Sequence, residues 1–221
     1  MRGSFSLFHF LLFFFLLIFL YVLIQIGILG IVLEKLELSA DGAILLFTST
    51  LFGSLINIPL FTIQTPAHKL PAHPDIPPWI IGRALPFYGK TLIAINVGGA
   101  LIPISFSVYL MMKWGISLST LIIAITIVSG VSYFFSRPIP GLGIGMPILI
   151  APLTAALTAL SLAPEQAAPL AYISGTLGVL IGADLLRLKD IPHLAAPLAS
   201  IGGAGTFDGI FFSGIIAVLL T

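Results

Sequence analysis

Cysteine is absent from the 221 residues, which excludes disulfides, thiol nucleophiles and thiolate metal sites. Charge is nearly as scarce. Asp, Glu, Lys and Arg make up 8% of the chain, against about a quarter in a soluble domain. So few polar side chains do not cover a water-soluble globule. Nine Lys and Arg against eight Asp and Glu leave a formal charge of +1, which argues against nucleic acid as a partner. No phosphate loop is present either, because GLGIGMP (141–147) lacks the Lys-Ser/Thr that grips phosphate and metal. What fills the chain is hydrocarbon: 58% of residues are hydrophobic and the mean hydropathy is +1.18.

A spanning helix needs about 20 mostly apolar residues to cross a bilayer core about 30 Å thick. Seven stretches meet that length, near 7–33, 43–63, 90–112, 116–135, 141–162, 166–186 and 194–220. The expected fold is all-α, a polytopic transmembrane helix bundle of about seven spans forming a single integral-membrane domain over 1–221. The first stretch opens like a signal peptide, with Arg2 before a Leu/Phe run, but it stays apolar to Leu33. A secretory core is only about 7–15 residues long, so a retained, tilted span is expected.

Positive charge assigns the sides. Arg2, Lys69, Arg83, Lys90, Arg137, Arg187 and Lys189 fall on the amino-terminal side of the seven spans, and Lys35 and Lys113 on the other. Cytoplasmic loops carry the excess of Lys and Arg. The chain is therefore expected in the cell membrane, with its N-terminus cytoplasmic and its C-terminus extracytoplasmic. The longest connection, 64–88, holds six prolines and cannot be an ordinary helix. Its Trp79, Phe87 and Tyr88 with nearby cations suit the headgroup layer, making membrane lipids the expected neighbours. His68, His73 and Asp75 lie there at no recognised metal-ligand spacing, so neither metal nor cofactor is expected.

Acids inside the spans carry more information, since each costs several kcal/mol at the bilayer centre unless paired or hydrated. Two qualify, Asp184 and Asp208. Asp184 stands three residues before Arg187, near the cytoplasmic boundary, where a simple ion pair with Arg187 or Lys189 is one reading. Asp208 is followed by thirteen residues, about 20 Å of helix, and a continuous last helix would bury it near mid-membrane. Pro197, Gly202, Gly203 and Gly205 predict instead that the last span is broken. The helix then restarts near Thr206, with Asp208 in the first turn, where free N–H groups favour a carboxylate. Non-helical backbone is tolerated at that depth only where protein shields it or a water-filled cavity meets it. Gly202, Gly203, Gly205, Thr206 and Asn96 are the residues expected to line such a cavity. Asn96, in NVGGALIP, and Asn57, in LINIP, weaken two further spans; interhelical hydrogen bonding is the plain alternative for both.

AAPLAYISG (167–175) and AAPLASIGG (195–203) agree at seven of nine positions. Taken as the openings of two oppositely directed spans, they form a short inverted repeat, a habit of transporters.

SRPIPGLGI (136–144), AYISGTLGVLIGADLL (171–186) and ASIGGAGTFDGIFFSGIIAVLL (199–220) resemble an uncharacterised prokaryotic membrane family, the domain of unknown function 1614 family. The resemblance covers roughly 90–220, with NIPL (57–60) and NVGGALIP (96–103) as weaker parts. It implies a membrane protein and no activity. A looser similarity is to the intramembrane aspartyl proteases of the presenilin and signal peptide peptidase group. These place one Asp on each of two consecutive helices, the second after Gly-x-Gly. Gly203-Ala204-Gly205 precedes Asp208 with Thr206 and Phe207 between. No tyrosine stands before Asp184, and no Pro-Ala-Leu follows Asp208.

Two carboxylates brought together share a proton, so one can act as base on a water and the other as acid toward a carbonyl oxygen. That predicts a di-aspartyl intramembrane hydrolase with Asp184 and Asp208 catalytic and a membrane helix as substrate. The alternative is a proton- or cation-coupled transporter with Asp208 as the ion site. A structural membrane subunit is the third reading.

Overall fold

In the computed structural model, the residues described are 7–25, 27–64, 89–139, 143–194, 196–203 and 209–221. Helices dominate: α1 (Leu7–Gln25), α2 (Ile28–Lys35), α3 (Ala40–Gly53), α4 (Ile102–Trp114), α5 (Leu118–Phe135), α6 (Ile150–Leu162), α7 (Ala167–Val179) and α8 (Gly209–Leu220). Among the described residues three helical stretches are long and apolar enough to cross a membrane: Val97–Trp114, Leu118–Phe135 and Pro164–Leu185.

The all-α expectation is corrected by strands. β1 (Asn57–Gln64), β2 (Lys90–Asn96) and β5 (Leu198–Ile201) form one sheet in the order β1-β2-β5, and β3 (Arg137–Ile139) pairs with β4 (Gly143–Gly145). β1 runs antiparallel to β2, with Asn57 opposite Asn96 and Gln64 opposite Lys90. β5 lies parallel to β2, from Leu92 opposite Leu198 to Ile95 opposite Ile201. Length-and-hydropathy windows missed these strands because they ignore period and breakers. NIPLFTIQ carries Pro59, which has no N–H and disfavours a helix interior. The ladder slips between Pro59 and Phe61, the kind of irregularity that accommodates proline in a strand.

The stretches expected as continuous spans near 43–63, 90–112 and 194–220 each divide between helix and strand. α3 stops at Gly53 before β1; β2 precedes α4; β5 precedes α8. The 7–33 stretch divides too, since Gly27 at φ 77° separates α1 from α2. The break expected in the last span is therefore present, as strand β5 followed by Gly202 and Gly203, both at positive φ. The Pro-rich segment 65–88, with His68, His73 and Asp75, lies outside the described residues.

α7 is the central helix, packed against α4, α5, α6 and α8. Its sequence explains how it accepts so many neighbours. Gly175 faces Ala155 of α6 and Ala217 of α8, and Gly178 faces Val128 of α5. Ala151, Ala155 and Ala159 recur every four residues along α6 and are fully buried. Without a hydrophobic drive between helices in lipid, small residues gain stability by letting backbones approach and pack. Larger groups fill the remaining space: Tyr172 meets Phe106 edge-on at 4.9 Å, and Phe47 meets Phe211 at 5.5 Å.

The two ends of the bundle differ in charge contacts. At one end Lys35 Nζ donates to the Val218 carbonyl, Lys113 Nζ donates to the Leu36 and Glu37 carbonyls, and Gln166 Nε2 donates to that of Trp114. At the opposite end of α5, Arg187 closes the helix. Its guanidinium donates to the Tyr133 and Ser136 carbonyls, the Ser136 hydroxyl and Asp190.

Candidate functional site

Helix gives way to sheet at one level of the molecule, and the polar groups concentrate there. After β2 the chain enters a π-helical segment, Val97–Leu101, before α4 begins. Asn96 is 1% exposed and spends its side chain on this junction. Its Oδ1 accepts the Gly99 N–H at 2.7 Å, and its Nδ2 donates to the Ser54 carbonyl at 2.7 Å and to Asn57 Oδ1 at 3.1 Å. The partners fix the amide orientation, since an N–H can meet only the oxygen and a carbonyl only the nitrogen. Ser200 Oγ adds a fourth link, donating to Asn57 Oδ1 at 2.6 Å. One asparagine thus caps a helix N-terminus and ties it to the ends of α3 and β1, so both asparagines join helix ends to strands.

The glycines let this layer close. A Cβ on Gly99 would fall on the Gly202 carbonyl oxygen, and one on Gly98 would fall on the Thr50 carbonyl. Gly202 in turn lies against the backbone of Gly99 and Ala100 and holds φ 81°, a region that side chains with a Cβ enter at a cost of about 1–3 kcal/mol. Sequence reading had placed Gly202 and Gly203 at a break. The partner of Gly202 is Gly99, which lies three residues after Asn96 and far earlier in the chain.

Asp184 sits in the second π-helical segment, Leu180–Leu185, which continues α7. π-turns inside helices occur frequently at functional sites. Asp184 is half-buried, and its Oδ2 accepts the Gly202 N–H at 2.7 Å. The simple ion pair with Arg187 is not what forms: the guanidinium goes to Asp190 at 2.9 Å and stacks 4.1 Å from the Tyr133 ring. Asp184 is thereby joined to the glycine turn from which the chain runs on to Asp208. Gly205, Thr206 and Asp208 lie outside the described residues; α8 begins at Gly209, the next residue after Asp208. Among the described residues no three His, Asp or Glu side chains gather as metal ligands. Ser54 and Ser200 are the participants that sequence reading missed; each is a common residue type, and only the register of β1, β2 and β5 brings them into one network.

These features define an integral membrane protein, mostly helical, with a small sheet docked at one end of its apolar helices. The chain belongs to the family described as protein of unknown function (DUF1614), which matches residues 51–220. That match takes in both helix–sheet junctions and leaves out α1 and α2. No curated protein and no solved structure matches the chain.

Proposed function

We propose that this membrane protein is a di-aspartyl hydrolase that cuts membrane-embedded helical substrates close to the cytoplasmic face, with Asp184 and Asp208 as the reacting carboxylates. The observation that carries the reading is the hydrogen bond from the Gly202 N–H to Asp184. It ties the first carboxylate to the same turn that leads to the second. Depth supports it as well. The helical stretch Val97–Trp114 is 18 residues, about 27 Å at 1.5 Å per residue, close to the thickness of a bilayer core. Asn96, Gly202 and Asp184 stand at the end of that layer, and half-buried Asp184 is the group that water would reach there without crossing the membrane. In the reaction, one carboxylate takes a proton from water as the oxygen attacks the peptide carbonyl, and the other protonates the carbonyl oxygen. Collapse of the adduct returns a proton to the departing amine.

Seven passes, with the N-terminus cytoplasmic and the C-terminus extracytoplasmic, belong to the same proposal. The clustering of Lys35 and Lys113 with Val218 at one end, opposite Arg137 and Arg187, supports that orientation. Proton- or cation-coupled transport is the second reading, favoured by the two π-helical segments, because interrupted helices free carbonyls that can serve as ion ligands. Its weakness is the same depth argument, since transporter sites cluster near the midplane.

The test is cleavage of a transmembrane-helix substrate by the full chain in liposomes. Wild type should release two fragments, and Asp184→Asn and Asp208→Asn should each release none while keeping wild-type thermal stability. Equal cleavage by wild type and Asp208→Asn would refute hydrolysis. Uptake of protons or cations that is lost in Asp208→Asn would replace it with transport.

A further inference from the structure

Arg137 and Arg187 reach the same end of α5 and are used in opposite ways. Arg187 is committed through four hydrogen bonds and the Tyr133 ring. Arg137 opens β3 and is exposed, and its side chain makes no hydrogen bond or ion pair among the described residues. It lines a crevice of about 640 Å³ between the end of α5 and the β3–β4 pair, together with Phe134, Phe135, Ile139, Met146 and Pro147. The crevice walls are hydrocarbon, and they continue onto a strongly exposed apolar surface. Phe134 is 75% exposed and Ile148 is 70% exposed. Such a surface at the end of an 18-residue apolar helix faces lipid.

A second cation is near. Lys189 is exposed and lies 5.6 Å from the ring of Tyr133, in the last turn of the helix that precedes Arg137, and its segment packs against β3. The neighbouring carboxylate, Asp190, is paired with Arg187 and cancels that charge rather than those of Arg137 and Lys189. Among the described residues the local surface is therefore two uncompensated cations beside an apolar cleft, at the depth where a helix leaves the hydrocarbon.

We infer that this crevice is a binding site for one anionic phospholipid, its phosphate on the Arg137 guanidinium and its acyl chains along Phe134, Phe135 and Met146. A planar guanidinium donates two parallel hydrogen bonds to a phosphate, which fixes the headgroup as well as attracting it. Anionic lipids enrich the cytoplasmic leaflet, the side that the charge bias gives this end of the chain. A zwitterionic lipid offers the same phosphate, but its ammonium is repelled by Lys189.

Native mass spectrometry of the full chain, released from micelles titrated with phosphatidylglycerol or phosphatidylcholine, reads the site directly. Wild type should retain one phosphatidylglycerol in preference to phosphatidylcholine. Arg137→Gln should weaken that retention about tenfold, the loss of one charge-assisted contact. Lys113→Gln, at the other end of the bundle, should leave it unchanged. Phe134→Ser should weaken retention of both lipids. Inorganic phosphate at millimolar concentration should not displace the lipid, because it lacks the chains. Equal retention by wild type and Arg137→Gln, equal retention of the two lipids, or displacement by free phosphate would each overturn the assignment.

Discussion

AAPLAYISG and AAPLASIGG share seven of nine residues, yet the first lies in the buried central helix α7 and the second runs into strand β5. Tyr172 and Ile173 of the first are fully buried among helices. The corresponding Ser200 and Ile201 pair instead with β2, and the Ser200 hydroxyl reaches Asn57. The inverted-repeat reading is thereby corrected: the two copies are not structurally alike. Local propensity does not separate them, because the residues are nearly the same. The difference lies in the flanks. The helical copy continues into TLGV and has helices on several sides. The extended copy follows Pro192 and ends in Gly202-Gly203, and the edge of β2 that β1 leaves unpaired is there to bond with it. Where water is scarce, a backbone must bond to something, and whichever partner is within reach decides the conformation.

The comparison is broken most severely at the contact that holds the strand copy in place. Gly99→Ala drives a methyl into the Gly202 carbonyl, backbone against backbone, with no flexible side chain to yield. The expected cost is roughly 4 kcal/mol or more, in the range of overpacking combined with backbone displacement. Thermal unfolding in detergent should fall sharply or the variant should fail to accumulate; an unchanged midpoint would contradict the close approach of the two segments.

Aligned glycines sharpen it more gently. Gly203 holds φ 87°, so Gly203→Ala should lose about 2 kcal/mol by forcing a left-handed alanine. Gly175 is its partner in the alignment and is helical, with the nearest groups to an added methyl at 3.3 Å and 3.4 Å. Gly175→Ala gains about 1 kcal/mol of helix propensity against that mild crowding and should be close to neutral. Unfolding midpoints measured side by side should put Gly203→Ala clearly lower; the reverse order would mean the two nonapeptides fold alike.

How far the sequence could be read follows from the same contrast. Apolar runs announced a membrane protein, and the glycines with Pro197 announced the break before α8, because helix breakers act locally. The sheet was not announced. β1, β2 and β5 are separated by long stretches of chain, and apolar strands of four to eight residues look like segments of a longer span when only hydropathy is counted. Asn96 stood out as a polar residue in a helix; its actual work as the N-cap that reaches Ser54 and Asn57 depends on β-register that no local pattern states. Asp184 was found by its cost in a membrane, but its partner Gly202 came from packing, whereas the nearer candidate Arg187 went to Asp190.

The central claim is that Asp184 and Asp208 share one site at the helix–sheet junction, and the missing cysteines make it directly measurable. In the Asp184→Cys, Asp208→Cys double variant of the full chain, every thiol present is one of the pair. A dithiol-specific cross-linker spanning about 5 Å should join them within one molecule, as read by mass spectrometry after digestion, since carboxylates that exchange a proton through one water must approach that closely. An Asp184→Cys, Thr221→Cys control pair should not react with it, because Thr221 lies at the end of α8 beside Lys35's partner Val218. Cross-linking of 184 to 208 only by reagents longer than about 10 Å would contradict a shared site, and with it the proposed hydrolysis.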